Sequence, residues 1–187
     1  MYEGVDTVVL QNELAFHDQL PLEWEPLAAA PGPAVLANLD EANVTLLKAC
    51  VAVEEEPAGD KQEDLLPLAN ELARIDHKLN LVLQLLGRLV PHGGDAPAVH
   101  LRFNSLGVAW RAAAAPPRVN EHGIVRIRMR SALPEQLQFA VVISGVSERD
   151  VEARHLAMSE RCADLIHRFC FLKHRKEVAG ARKSRQS

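Results

Sequence analysis

From Leu65 to Leu89 a large aliphatic residue recurs at every third or fourth position. Leu65, Leu68, Leu72, Ile75, Leu79, Val82, Leu86 and Leu89 are spaced 3, 4, 3, 4, 3, 4, 3 without a slip. Four heptads with both seam positions filled describe a helix that buries a stripe against other helices. The pattern predicts one long helix over residues 61–90. Pro67 falls in its first turns, where a missing N–H is tolerated, and Pro91-His92-Gly93-Gly94 ends it. One seam position is always leucine, while the other carries Ile75 and Val82 in its middle. Leucine at the first with isoleucine at the second favours four strands over two. Leu83 and Leu85 flank the seam and widen the apolar face beyond what a two-stranded coil would cover. This helix is therefore expected to assemble a homo-tetramer. The competing reading packs it within its own domain, which the extra apolar positions Leu81, Leu83 and Leu85 also fit.

Upstream, Ala34, Leu36, Leu39, Val44, Leu46, Leu47, Cys50 and Val51 give a broad helical face over residues 35–56, stopped by Pro57-Ala58-Gly59. Before it, the sequence AAAPGP from Ala28 to Pro33 breaks any regular element. Residues 5–26 read as extended, with a strand from Leu14 that ends near Leu22. After Gly94 the period changes from helical to alternating. Strands are expected at Ala98–Phe103, Gly107–Trp110, Gly123–Arg130, Leu137–Val146 and Val151–Met158, with Gly145 marking a bulge. A last helix follows Ser159, a good N-cap. Short strands at such intervals predict a small antiparallel barrel. The fold class is α+β: a barrel, a long heptad-repeat insertion and a C-terminal helix. Its parts are an N-terminal strand region joining the barrel (1–30), a helical hairpin insertion (31–94), the barrel with its helix (95–178) and a disordered basic tail (179–187).

Charge sharpens the picture. Residues 1–70 hold fourteen acidic residues against two lysines, although the whole chain carries only −4. The basic end, with Lys173, Arg175, Lys176, Arg182, Lys183 and Arg185, reads first as a solvated terminus. Nucleic acid is not an expected partner: aromatics are 4% of the chain, too few for a base-stacking platform. No run of 18 apolar residues exists, so no membrane span is expected. Three cysteines without CxxC spacing (Cys50, Cys162, Cys170) read as small core residues in a reducing cytoplasm. Eight scattered histidines offer no metal-ligand spacing, and no GxSxG, Walker loop or HExxH is present. No enzyme, metal or cofactor is expected. Arg126, Arg128 and Arg130 share one strand face, most simply crossed by acids of a neighbour.

The strand block resembles a PilZ domain, the bacterial β-barrel that serves as a receptor for cyclic di-GMP. The likeness rests on Ser105-Leu106-Gly107 leading into Val108-Ala109-Trp110, on Gly123 through Met129 to Leu133-Pro134, and on Leu137–Val146. It also rests on Asp164–Phe169 with Lys173-His174-Arg175, and on Phe16–Leu22 as a first strand. It implies an atypical, tetramer-forming branch with the heptad helix as an insertion. The family's nucleotide motifs, RxxxR and [D/N]xSxxG, are not intact. No RxxxR occurs near either entry to the barrel. With Ser105 as the motif serine, Phe103 stands in the acidic or amide place and Val108 in the glycine place, while Asn104 is adjacent to Ser105 rather than two before it. Asn104, Ser105 and Gly107 are thus degenerate motif positions. The resemblance implies a non-enzymatic adaptor in motility, type IV pilus or surface-behaviour signalling, acting on another protein of such a pathway. The alternative is a genuine cyclic di-GMP receptor that uses a non-standard arginine set, Arg102, Arg111 and Arg118.

Overall fold

A computed structural model of the chain describes residues 14–55, 75, 96–129 and 136–184. Six strands close a barrel: β1 (Phe16–Leu27), β2 (Ala98–Phe103), β3 (Gly107–Arg111), β4 (His122–Ile127), β5 (Leu137–Ser147) and β6 (Asp150–His155). All pairings are antiparallel, in the order β1-β2-β3-β6-β5-β4. Among the described residues it is accompanied by α1 (Pro33–Glu54) and α2 (Glu160–Ser184). The alternation in the sequence becomes alternation in burial. In β2, Val99, Leu101 and Phe103 point in while Ala98, His100 and Arg102 point out, and β4 repeats the pattern with Val125 and Ile127 inside.

β1 closes the barrel, and it is longer than its sequence suggests. The strand does not end at Leu22 but runs on to Leu27 through Pro21 and Pro26. Its first half pairs with β2, from Phe16↔Phe103 to Pro21↔Ala98. Its second half pairs with β4, from Leu22↔Ile127 to Leu27↔His122. Pro21 falls where the strand changes partner, so the donor it lacks interrupts neither ladder. In β5 the register shifts between Ile143 and Gly145, the bulge expected at that glycine.

One end of the barrel is filled by aromatic rings. Phe103 is fully buried and lies 5.2 Å from Phe16, 6.3 Å from Phe139 and 6.4 Å from Phe169, which it stacks at 6°. Three strands and α2 thus share one contact. Toward the other end Trp24 meets Trp110 at 6.0 Å. Trp24 lies directly over Gly123, where a Cβ would stand 2.3 Å from the indole and 2.5 Å from the Glu25 carbonyl. That close approach explains a glycine inside β4.

α1 starts at Gly32 with Pro33 as its first helical residue, the order proline favours. It buries Val44, Leu47, Cys50 and Val51. Asn43, itself buried, clasps β5: its Nδ2 donates to the Gln138 carbonyl and its Oδ1 accepts from the Gln138 N–H, both at 2.8 Å. The last turn of α1 carries the buried Glu54, which pairs with Lys173 and Lys176 of α2 at 3.0 Å each. Glu55 pairs with Arg168. Two helices are thereby locked by charge as well as by apolar packing.

α2 opens as expected, with Ser159 Oγ accepting the Cys162 N–H at 3.1 Å. It buries Cys162, Ile166, Phe169, Cys170 and Leu172. The helix continues through residues 179–184, which corrects the expectation that a disordered tail begins at 179. Lysine and arginine suit the C-terminal end of a helix, whose dipole is negative there. Cys50, Cys162 and Cys170 are buried thiols that form no disulfide with one another. Among the described residues no helix is long and apolar enough to cross a membrane. Of the heptad positions only Ile75 is described; it is helical and exposed. Leu65, Leu68, Leu72, Leu79, Val82, Leu86 and Leu89 lie outside the described residues.

Candidate functional site

Two places on the barrel bear on function: the β2–β3 turn, which holds Asn104, Ser105 and Gly107, and the outer face of β1, β2, β3 and β6.

The turn is built by Asn104. Its side chain is fully buried, and its Oδ1 accepts the N–H groups of Leu106 at 2.9 Å and Gly107 at 3.1 Å. An asparagine that bonds its own backbone two and three residues on makes an Asx-type turn. The Asn104 N–H donates back to the Gly107 carbonyl at 3.0 Å. Phe103, which the motif comparison puts in the acidic place, faces the core instead. Ser105 lies against α2, its Oγ 2.8 Å from His167 Nε2. The Asn104 carbonyl meets His155 Nε2 at 3.2 Å. Asn104, Ser105 and Gly107 therefore serve the hairpin and its attachment to α2.

His155 is enclosed by Phe139, 4.6 Å away, and its buried Nδ1 has no hydrogen-bond partner. Loss of hydration pushes its pKa down to about 4, against a smaller opposing effect of the Asn104 hydrogen bond. The ring is thus neutral in the folded protein, with Nε2–H donating to Asn104. Above about pH 6.5 the unfolded chain also carries a neutral imidazole. As the pH falls from there toward 4, the unfolded chain takes up a proton that the folded one refuses, and stability is lost. A shift of this size corresponds to about 3 kcal/mol. His155→Gln keeps a donor for the Asn104 carbonyl and does not titrate. Urea unfolding at pH 7 and pH 4 is therefore expected to show the wild type losing about 3 kcal/mol more than the variant; equal losses would contradict this account.

The outer face of β1, β2, β3 and β6 holds an open depression of about 830 Å³. Its walls come from side chains in two cross-strand rows. One row runs from His17 to Arg102 and Ala109, beyond which the buried Glu152 of β6 stands outside the lining. In the next, Gln19 stands opposite His100, and Arg111 opposite Asp150. Ala109 is the small residue in the middle. Arg102, Arg111, His17 and His100 line it from β1–β3 together with Asp18 of β1, and Asp150 lines it from β6. Glu152 is 7% exposed, and burial raises its pKa while the neighbouring Arg102 lowers it. Along one edge the face meets α2, where His17 approaches Glu177 at 3.9 Å.

The depression brings together two of the three arginines singled out in the sequence, Arg102 and Arg111. Arg118 is not among its lining residues; it belongs to the loop before β4, where its backbone N–H donates to Glu121 Oε2 at 2.8 Å. The sequence does not reveal the carboxylate side of this face. Strand alternation marks Asp150 and Glu152 as alternate residues of one strand, but only the barrel's register sets them beside Ala109 and Arg111. On β4, Arg126 ion-pairs with Glu25 and donates to Gln138 Oε1 at 3.4 Å, the crossing by acids expected there. Arg126 and Arg130 stand four apart, but Arg126 sits within the barrel wall and Arg130 lies outside the described residues. Among the described residues no group of histidine, cysteine and carboxylate side chains is placed to hold a metal ion.

Comparison with known proteins agrees with the fold. A family model described as the atypical PilZ domain, a cyclic di-GMP receptor, matches residues 47–183. No curated protein matches the chain. A solved structure of a pathogenic protein from Xanthomonas campestris is similar, with 25% sequence identity and a TM-score of 0.67. The similarity covers 92% of this chain and 94% of that one. That protein is described as a tetrameric PilZ domain self-assembled via an unusual helical bundle.

Proposed function

This chain belongs to the atypical PilZ domain family, and from that premise we propose that it is a non-catalytic signalling adaptor, held as a homo-tetramer by its heptad helix, that does not take cyclic di-GMP through the family's usual motifs. The β2–β3 turn carries the reading. Asn104 and Ser105 are engaged in the turn and by His167, and Phe103 fills the core where the motif has an acid or amide. Phosphate clamping and guanine stacking need planar, permanently charged guanidinium groups at the barrel entry, and among the described residues no RxxxR pair stands there. Self-assembly is supported by the unbroken heptads, by the exposed Ile75 in the single chain and by likeness to a tetrameric relative. The adaptor acts in the bacterial cytoplasm, on a protein of a motility, type IV pilus or surface-behaviour pathway.

Calorimetric titration of the full chain with cyclic di-GMP tests this. No saturable site with a Kd below about 10 μM, or roughly −7 kcal/mol, is expected. One site of that strength would overturn the reading. It would favour the second one, a receptor using non-standard arginines, for which the specific observation is that Arg102 and Arg111 share one depression.

A further inference from the structure

We infer that the outward face of α2, from His167 to the end of the helix, is a docking surface for an anionic lipid bilayer, on which the protein rests without crossing it. The inference goes beyond the adaptor reading and does not depend on it.

The buried and exposed residues of α2 fall on opposite sides. Cys162, Ile166 and Phe169 are buried on one. Phe171 and Val178 stand two turns apart on the other, 55% and 39% exposed. At the helical repeat, Arg168, Arg175 and Arg182 follow one flank of that pair, and His167 and His174 follow the other. A single exposed apolar side chain is ordinary. An aromatic ring between two cationic rows is the arrangement of a helix that lies in a headgroup layer, its ring toward the acyl chains and its cations among the phosphates. The helix dipole accounts for cations at this end, but not for the exposed ring.

The ion pairs sort the charges. Glu54 holds Lys173 and Lys176, and Glu55 holds Arg168. Glu177 turns away from the outward face, toward His17 of β1 at 3.9 Å. Arg175 is exposed and has no ion pair among the described residues. Residues 174–180 are exposed throughout, so the last turns stand clear of the barrel, where a flat surface can reach them. From Lys173 to the end of α2, Arg175, Lys176, Arg182 and Lys183 face only the acid Glu177. Clusters of this size on an amphipathic helix suit the negative potential of a cytoplasmic leaflet. Glu160 and Asp164 carry the opposite charge on the first turns, so a bilayer meets the C-terminal end first.

The shape favours lipid over an acidic protein. From His167 to Arg182 the face runs about 22 Å along a convex helix, with Phe171 and Val178 on its crest. A protein would have to supply a groove for the ring and acids in register with the cations. A headgroup layer takes the ring at any point and surrounds it with phosphates.

The test uses the full chain and sucrose-loaded vesicles, made of phosphatidylcholine alone or mixed equally with phosphatidylglycerol, and pelleted by centrifugation. The protein is expected to pellet with the anionic vesicles, to ignore the neutral ones, and to be released as salt rises from about 50 to about 500 mM. The partition coefficient should fall at least tenfold in the double variant Arg175→Glu/Arg182→Glu and several-fold in Phe171→Ser. Unchanged near-ultraviolet dichroism from Trp24 and Trp110 verifies that these variants fold. In Phe171→Trp, brominated lipid is expected to quench emission that it leaves untouched in the wild type. The inference is overturned if no vesicles bind, if neutral and anionic vesicles bind alike, or if Phe171→Ser binds as the wild type does. It is also overturned if polyglutamate or duplex DNA, at the same charge concentration, binds more tightly than the anionic vesicles. That result would assign the face to an acidic protein or to nucleic acid.

Discussion

A chain carrying Leu79→Glu and Val82→Glu is expected to sediment as a monomer or to fail to fold, where the wild type sediments near four times its 20.6 kDa. The stripe from Leu65 to Leu89 is about 36 Å long at 1.5 Å per residue. With Leu83 and Leu85 beside the seam, one neighbouring helix leaves much of it wet, whereas four parallel copies bury both seam positions and their flanks together. Two glutamates in each copy put eight carboxylates into a dry seam. Each costs several kcal/mol unless it finds a partner or takes up a proton. Sedimentation equilibrium at micromolar concentration reads the outcome, and the Trp24–Trp110 dichroism tells dissociation from unfolding. A monomeric wild type would end the tetramer reading. A stable dimer would leave the heptads intact and remove the argument from leucine and β-branched seam residues. Asp76 and Lys78 flank the seam, and exposed pairs of that kind contribute under about 1 kcal/mol. Their replacement by alanine is accordingly expected to leave the assembly whole.

Phe103→Ala is expected to destabilise the barrel by about 4 kcal/mol, at the middle of the range for a buried phenylalanine cut to alanine. Phe103 is fully buried, and its ring touches Phe16, Phe139 and Phe169. Its loss opens a cavity where β1, β2, β5 and α2 meet, and these elements cannot all collapse into one void. For a domain of this size the midpoint of thermal unfolding falls by about 8–16 °C. The same position distinguishes the two views of the β2–β3 turn. If Phe103 merely replaced a motif acid, Phe103→Asp would be mild and would move the chain toward nucleotide binding. Because the position faces the core, Phe103→Asp is expected to be worse than alanine, since it buries a carboxylate as well as leaving a void. Scanning calorimetry of the two variants decides the order.

Much of the barrel was legible because a half-buried strand writes its two faces into the sequence as alternation. Ala98–Phe103 reads out, residue by residue, the burial found in β2. Ser159 announced α2 because a hydroxyl that can accept an amide N–H is useful just before a helix. Local signals of this kind also carried the bulge at Gly145. The end of β1 was misplaced because Pro21 reads locally as a stop. It becomes tolerable only when the strand exchanges β2 for β4 at that point, and pairing between residues about a hundred apart leaves no mark at Pro21 itself. The run of α2 through 179–184 leaves no such mark either: AGARKS has no apolar period to betray a helix.

The sequence by itself determined the heptad spacing, the inward face of each barrel strand and the departure of the β2–β3 turn from the [D/N]xSxxG pattern, since all three are matters of spacing along the chain. Only the tertiary structure decided what the residues of that turn do. It turned Asn104 into the builder of a turn, gave Ser105 to His167 on a helix 62 residues away, and set Arg111 opposite Asp150 and Ala109 between Arg102 and Glu152. The physical reason is closure. A barrel joins strands distant in sequence through backbone hydrogen bonds, and those bonds are indifferent to side-chain identity. The register that places a charge beside its opposite is fixed by the whole fold at once.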